Sequence, residues 1–260
     1  MVQNTTSGMK NTNPEMQKNN LGSVSVVIPV YSESEIINAC IWEVVEFDGE
    51  EPSEVIVSDG GPDHLTLEAI EAPGVIKVKS PPGRGTQMNA GAGMATGDIL
   101  FFLHVDTDLP HGAVESVRRA VQGGAVAGAF SLSIDSPKWS LKIISWFANL
   151  RSRLERVPYG DQAQFITADL FRELGGFADI PIMEDVELFR KIRKLGLPIV
   201  ILRDRVKTSA RRWEKEGILR RTLTNWWLRI RYRFGTSPET LKLQYRPHDH
   251  GADDKLADDK

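Results

Sequence analysis

Carboxylates set just behind apolar runs are the first chemistry this sequence offers. Residues 100–110, LFFLHVDTDLP, deliver Asp106 and Asp108 at the end of a strongly apolar segment. Hard oxygen donors of this kind suit Mg²⁺ or Mn²⁺, which keep positions open for phosphate oxygens. Such an ion acts as a Lewis acid on a departing diphosphate. The alternative for Asp106 is an Asx turn, or a cap for the helix that follows Gly112. In VSDGGPD, Asp59 also ends an apolar run. It can accept a hydrogen bond from a base N–H or a ribose hydroxyl, although Asp-Gly-Gly is also a good turn by itself. Asp63 reads as the N-cap of the next helix. IMEDVEL puts Glu184 and Asp185 at a helix start. A partly desolvated carboxylate there can hold a raised pKa and take a proton from a hydroxyl, although acidic residues also suit any helix N-terminus. In PPGRGTQMNAG, backbone N–H groups and Arg84 are a candidate phosphate cradle. No Gly-Lys-Ser/Thr follows, so it is not a P-loop.

The elements needed to position these groups are legible. Residues 23–30 (SVSVVIPV), 54–58 (EVIVS), 75–79 and 98–105 (DILFFLHV) read as buried strands. Between them, Ile37, Cys40, Ile41, Val44 and Val45 mark a helix face. Residues 64–70 and 86–95 read as two further helices. Alternating strands and helices predict right-handed crossovers and a mostly parallel sheet with helices on both faces, an α/β fold. Ligands of such sheets bind outside the carboxyl ends of the strands. Residues 31–35, 59–63 and 106–108 fall there, and all three segments carry carboxylates. Farther on, helices are expected near 113–121, 138–155, 170–174, 185–195 and 218–234, and strands at 128–134 and 198–202.

Composition narrows the function classes. The chain has 260 residues, 41% of them hydrophobic, enough for a sizeable core. Net charge is −3, and residues 249–260, with five Asp and two Lys, account for all of it. The near-neutral remainder argues against bulk electrostatic binding of nucleic acid. Cys40 is the single cysteine, so no intrachain disulfide forms. It reads as a small core residue, and a cytoplasmic setting fits. Residues 1–20 are polar and Asn-rich, without the apolar stretch of a signal peptide. They and residues 248–260 are expected to be disordered tails. No run reaches the ~18 apolar residues that span a membrane.

Taken in order, VVIPVYSES, VSDGGPD, GRGTQMNAG, FFLHVDTDLP, PYGDQA, GGF, IMEDVEL and SARRW resemble the motifs of inverting family 2 glycosyltransferases of the GT-A fold. Each motif is weak alone, but the ordered set is specific. The resemblance runs from Ser23 to about Tyr245 and is nearest to a short, soluble bacterial branch. It implies a single domain over 21–247, with a nucleotide-sugar-binding half (21–110) and an acceptor-binding half (111–247). It further implies that Pro29, Tyr31 and Glu33 shape the nucleotide pocket. Asp59 binds the base and Arg84 lies near the diphosphate. Asp185, with Glu184 beside it, is the general base for one in-line, inverting displacement. UDP is the default nucleotide by family frequency. Aligned on Leu109-Pro110, His104 stands where the family has the first Asp of Asp-x-Asp, and Asp106 stands at the second. Asp106 is then the metal ligand, with Asp108 an additional candidate and His104 facing the donor. Tyr159, Asp161 and Gln162 are candidate sugar or acceptor contacts. Arg211-Arg212-Trp213 resembles part of the Gln-x-x-Arg-Trp motif of membrane-embedded processive relatives. The transmembrane helices of those relatives are missing, so one sugar added to a hydroxyl acceptor is expected rather than a polymer.

Residues 203–233 hold eleven Lys/Arg against three acidic residues. Within them Leu219, Leu223, Trp226, Trp227 and Ile230 form a helical stripe. The readings are a packed helix with a solvated basic face, a homodimer interface, or peripheral contact with anionic lipid at the inner face of the membrane. Three rival functions are weighed against transfer. Haloacid dehalogenase phosphatases carry an Asp-x-Asp, but on the first strand and followed by Gly-Thr. Sugar-phosphate nucleotidyltransferases carry their Gly-rich loop after strand one, whereas Gly85-Thr86 follows strand three. A decayed nucleotide-sugar-binding protein is the third, against which stands the joint retention of Asp106 and Glu184-Asp185.

Overall fold

The structure is a computed structural model and describes residues 22–46, 52–210 and 218–244. The expected tails at 1–20 and 248–260 lie outside the described residues. Strands β1 (Val24–Val30), β2 (Glu54–Asp59), β3 (Ile76–Lys79) and β4 (Ile99–Phe102) form where the β-branched runs predict them. Helices α1 (Ile37–Glu46), α2 (Leu65–Glu68) and α3 (Arg84–Met94) connect them. β5 (Thr107–Asp108), α4 (Ala113–Gln122), β6 (Ala127–Asp135) and α5 (Trp139–Glu155) follow. Beyond a 3₁₀ turn at Gly160–Gln162 come β7 (Gln164–Thr167), α6 (Ala168–Glu173), α7 (Glu184–Lys194) and β8 (Ile199–Ser209). α8 (Ile218–Arg233) and α9 (Pro238–Lys242) end the described chain.

All eight strands join one sheet in the order β3-β2-β1-β4-β7-β6-β8-β5. The pairs β2–β3, β1–β2, β1–β4 and β6–β8 are parallel. β7 is antiparallel to both β4 and β6, and β5 is antiparallel to β8. The direction of β7 has a simple cause. The chain reaches the 3₁₀ turn at the edge where β1, β2 and β4 end, so a strand leaving that turn must run back down the sheet.

Both faces of the sheet are covered. Along β1, Val24, Val26, Ile28 and Val30 pack beneath Ile37, Ile41 and Val44 of α1 and Val114 and Val117 of α4. Val27, pointing the other way, joins Met88 of α3 and Val186, Phe189 and Ile192 of α7. The period of two thus feeds two cores, each large side chain contributing roughly 1.5–3 kcal/mol. Cys40 is buried in the first of them, as expected. β1 pairs with β4 as far as Val27 opposite Phe102, with Leu103 N–H donating to the Val27 carbonyl. Pro29 comes two residues later, where a missing N–H on the β4 side costs no ladder bond. There the chains part and a crevice opens.

Candidate active site

Three strand ends frame this crevice. Asp59 closes β2 opposite Val30, fully buried. Its Oδ1 accepts the Gly61 N–H at 2.7 Å, and its Oδ2 is sealed from solvent with no partner. A buried carboxylate oxygen without a donor is costly unless a ligand supplies one. Tyr31 is exposed beside it, and Ser32 takes a left-handed backbone (φ 57°) as the chain turns off β1. Glu33 starts the turn into α1, its N–H donating to Thr66 Oγ1 at 3.0 Å. Gln87, which sequence reasoning passed over, is buried, donates to the Val30 carbonyl and abuts Gly60. It fixes the distance between the ends of β1 and β2. The signal was available, since Gln87 faces the sheet one turn into the Gly-rich helix.

The third strand end is β4. Behind it His104 is half-buried and Asp106 exposed at the mouth of the crevice. Asp106 and Asp108 separate. Asp108 sits opposite Lys207 on the β5–β8 ladder, where burial and the charge of Asp135 raise its pKa against Lys207. Leu109 N–H donates to Glu43 Oε1 at 2.8 Å, tying this loop to α1.

The 3₁₀ turn brings the second half of the chain to the crevice. Gly160 N–H donates to Asp185 Oδ2 at 2.6 Å, and Asp185 Oδ1 accepts the Val186 N–H at 2.6 Å. A Cβ on Gly160 would lie 3.0 Å from the His104 ring and 3.4 Å from Asp185 Oδ2. His104 and Asp185, far apart in sequence, therefore flank one glycine. Asp161 lies in the same field. Burial pushes its carboxyl up to about 6, helped by the charges of Asp185 and Asp106 and opposed by Arg151 and Arg84. Its Oδ1 is sealed and unpartnered. Glu184 is buried, and burial and Asp185 raise it to about 7 against Arg84. Arg84 itself is exposed at the first residue of α3, with Gly85 packed against Glu184. The crevice thus holds Arg84, His104, Asp106, Asp161, Glu184 and Asp185, with Asp59 about two strand spacings, ~10 Å, away across the sheet.

The other expected contacts divide. Tyr159 packs against two guanidinium groups, Arg151 at 4.0 Å and Arg229 at 5.1 Å from its ring centre. Gln162 is buried, and its amide is engaged internally. Its Oε1 accepts from Ser152 Oγ and Tyr159 N–H, and its Nε2 donates to the Phe130 carbonyl. It holds the turn rather than facing the crevice. Arg211, Arg212 and Trp213 lie outside the described residues. Asn89 is a second residue that sequence reasoning missed. Its side chain exchanges two 2.9 Å hydrogen bonds with the Phe177 backbone, pinning the loop that leads to Asp185. Gly176 beside it has φ 73° and no room for a Cβ, which would sit 2.6 Å from Asn89 Oδ1.

Among the described residues, no three His, Cys, Asp or Glu side chains converge into a ready-made metal cage. An exposed hard-oxygen donor such as Asp106 does fit an ion that takes most of its ligands from phosphate and water.

Residues 25–175 match the family model described as Glycosyl transferase family 2. The chain belongs to this family. Membership removes the phosphohydrolase and nucleotidyltransferase alternatives. A Mycobacterium tuberculosis (strain CDC 1551 / Oshkosh) protein, "Uncharacterized protein MT1568", is 28% identical over 195 residues, 65% of this chain. That match spans 61% of the relative's length. Among solved structures, the Pyrobaculum calidifontis mannosyltransferase PcManGT, in complex with GDP-Man and Mn²⁺, superposes with a TM-score of 0.62 at 20% identity. The match covers 85% of this chain and 67% of that one. The likeness establishes the GT-A fold of this family 2 glycosyltransferase.

Proposed function

We propose that this family 2 glycosyltransferase moves one sugar from a nucleoside-diphosphate sugar to a hydroxyl acceptor, with inversion, using Asp185 as general base. The observation that supports it best is the junction at Gly160, where the Asp185 carboxylate is aimed by two backbone N–H groups beside His104. Two of its lone-pair positions are occupied by these donors, which leaves others to accept a hydroxyl proton. In the displacement, the acceptor oxygen bonds to the anomeric carbon as the bond from that carbon to the diphosphate oxygen breaks. The hydroxyl proton passes to Asp185 and the nucleoside diphosphate leaves.

The remaining roles follow from position. Asp59 Oδ2 accepts from the base, Tyr31 covers it, and Pro29 and Glu33 shape the wall. Arg84 faces the leaving diphosphate with the N-terminus of α3. A divalent ion, Mn²⁺ or Mg²⁺, would be held by Asp106 and would supply positive charge to the departing phosphates. His104 borders the donor sugar, and Tyr159 and Asp161 border the acceptor side. Burial raises Asp161 to about 6 and Glu184 to about 7, so both hold a proton more tightly than an ordinary carboxyl. UDP-sugars are the first donors to test. GDP-mannose, bound by the structural neighbour, is the second.

Asp185→Asn keeps an acceptor oxygen for the Gly160 N–H. It is expected to lower kcat roughly a thousandfold while the chain still folds, with a slightly lower Tm because the Val186 N–H loses its acceptor. Turnover equal to that of the native chain would refute the base assignment. A thermal-shift screen of UDP- and GDP-sugars with Mn²⁺ or Mg²⁺ tests the donor. A binding donor raises Tm, and no response to any nucleoside diphosphate would count against the whole reading.

A further inference from the structure

Helix α5 is turned inside out. The residues it buries are Leu141, Ser145, Asn149 and Ser152, three of the four polar. Its outward stripe, at spacings of three and four, is Trp139, Ile143, Trp146, Phe147, Leu150 and Leu154. Trp139 is 74% exposed and Leu154 76%. The inward face is secured by hydrogen bonds rather than by apolar packing alone. Asn149 exchanges two bonds with the Leu132 backbone, and Ser152 Oγ donates to Gln162. An ordinary surface helix has the opposite polarity. A stripe of six large apolar side chains on one helix face marks an interaction site.

α8 abuts this helix through an ion pair between Arg229 and Glu155. It turns Leu223, Trp226, Trp227 and Ile230 outward, with Phe234 just beyond it. Residues 138–156 and 218–234 hold ten of the chain's thirty-two Lys/Arg but only one of its thirty-five Asp/Glu, Glu155. Arg151 and Arg229 turn inward to Tyr159 and Glu155, whereas Lys138, Lys142, Arg153 and Arg156, on α5 and at its ends, are exposed beside the apolar stripe, on a chain that is net negative. Trp146 of the stripe also walls a groove of about 590 Å³ lined by Lys142, Arg205 and Lys207 and by one carboxylate, Asp135.

We infer that the outward faces of α5 and α8 form one docking surface for an anionic lipid bilayer. Tryptophans sit at the boundary between headgroups and acyl chains, and apolar residues bury beneath them. Each nearby Lys or Arg adds electrostatic attraction to acidic headgroups. Among the described residues no helix is long and apolar enough to cross a membrane, so this contact is superficial. A second copy of the chain fits less well, since it would set two basic faces against each other. The surface lies outside the carboxylate crevice, and its occupation needs neither donor nor turnover.

Flotation of the full chain with vesicles tests this. Vesicles of equimolar phosphatidylglycerol and phosphatidylcholine should carry the protein, and vesicles of phosphatidylcholine alone should carry far less. Half-molar salt should release it. The double variant Lys138→Glu/Lys142→Glu should weaken partitioning roughly tenfold or more, and Trp139→Ser/Leu154→Ser should do the same. Both should melt with the native chain. Failure of the native chain to float with the anionic vesicles overturns the inference. So does binding that is equal on both compositions, or that neither double variant changes. A concentration-dependent dimer whose association Trp139→Ser/Leu154→Ser abolishes would assign the surface to a second copy instead.

Discussion

The two flanks of the sheet settle the problem of apolar surface in opposite ways. Around β1 and β4, alternate residues feed two closed cores, and Phe101 and Phe102 are buried on opposite faces. Around α5, Leu141, Ile144 and Ala148 still reach the core, but most of the buried face is polar and six large apolar residues look outward. The first flank fixes where Asp59 and the end of β4 stand. The second is tied to the sheet largely by hydrogen bonds and leaves large side chains exposed. Sites that must keep geometry and surfaces that must meet something soft place different demands on the same sheet.

Substitutions on each flank can break that contrast. The largest effect is expected from Gly128→Ala in β6. A Cβ there would run into the Phe165 ring and lie 2.5 Å from the Val200 carbonyl, which cannot yield as a flexible side chain would. A loss at the upper end of the usual overpacking range, about 3 kcal/mol, should appear in urea unfolding. A loss below about 1 kcal/mol would mean that the sheet centre is softer than described. Next comes Asn149→Ala, which leaves the Leu132 N–H and C=O of a buried strand without their partner. About 2 kcal/mol is expected. An effect near zero would mean that α5 is not held by its polar stripe.

Glu184→Gln gives a smaller and pH-dependent change. Glu184 binds its proton more tightly in the folded chain, near 7, than its ordinary value of 4.5. Its contribution to stability is therefore full below 4.5 and is lost as pH rises toward 7. Burial and repulsion by Asp185 are the cause. The variant should melt a few degrees above the native chain at neutral pH and lose that advantage in acid. A constant difference across the range would contradict the burial argument. The smallest effect is expected from Trp139→Ser on the outward stripe, within about 0.5 kcal/mol. A larger loss would show that this side chain packs against something in the chain itself.

The legible parts of the molecule were those whose signal is local. The β-branched run of β1, the turn after Asp59 and the acidic start of α7 each sit within a few letters of their structural cause. The bounds and direction of β7 were not legible, because QFIT is short and its direction depends on where the preceding turn lies. β8 runs on to Ser209, past the expected end at Leu202, because the alternation of Arg203, Arg205 and Lys207 reads as loop until a neighbouring strand is supplied. The aromatic content of α5 was plain, but no periodicity says which face of a helix meets the sheet. The hydrogen bonds of Asn89 and Asn149 join positions 88 and 17 residues apart, and their amides read as ordinary polar letters. The Gly160 donor has no letter at all, being main chain. Asp108 shows the opposite failure, a motif residue that the β5–β8 ladder draws away from its neighbour.

That Gly160 donor has a further consequence. The group that aims the carboxylate is a peptide N–H, so only proline at that position would erase it. Side-chain changes elsewhere around the turn leave this main-chain donor, and with it the orientation of Asp185, in place.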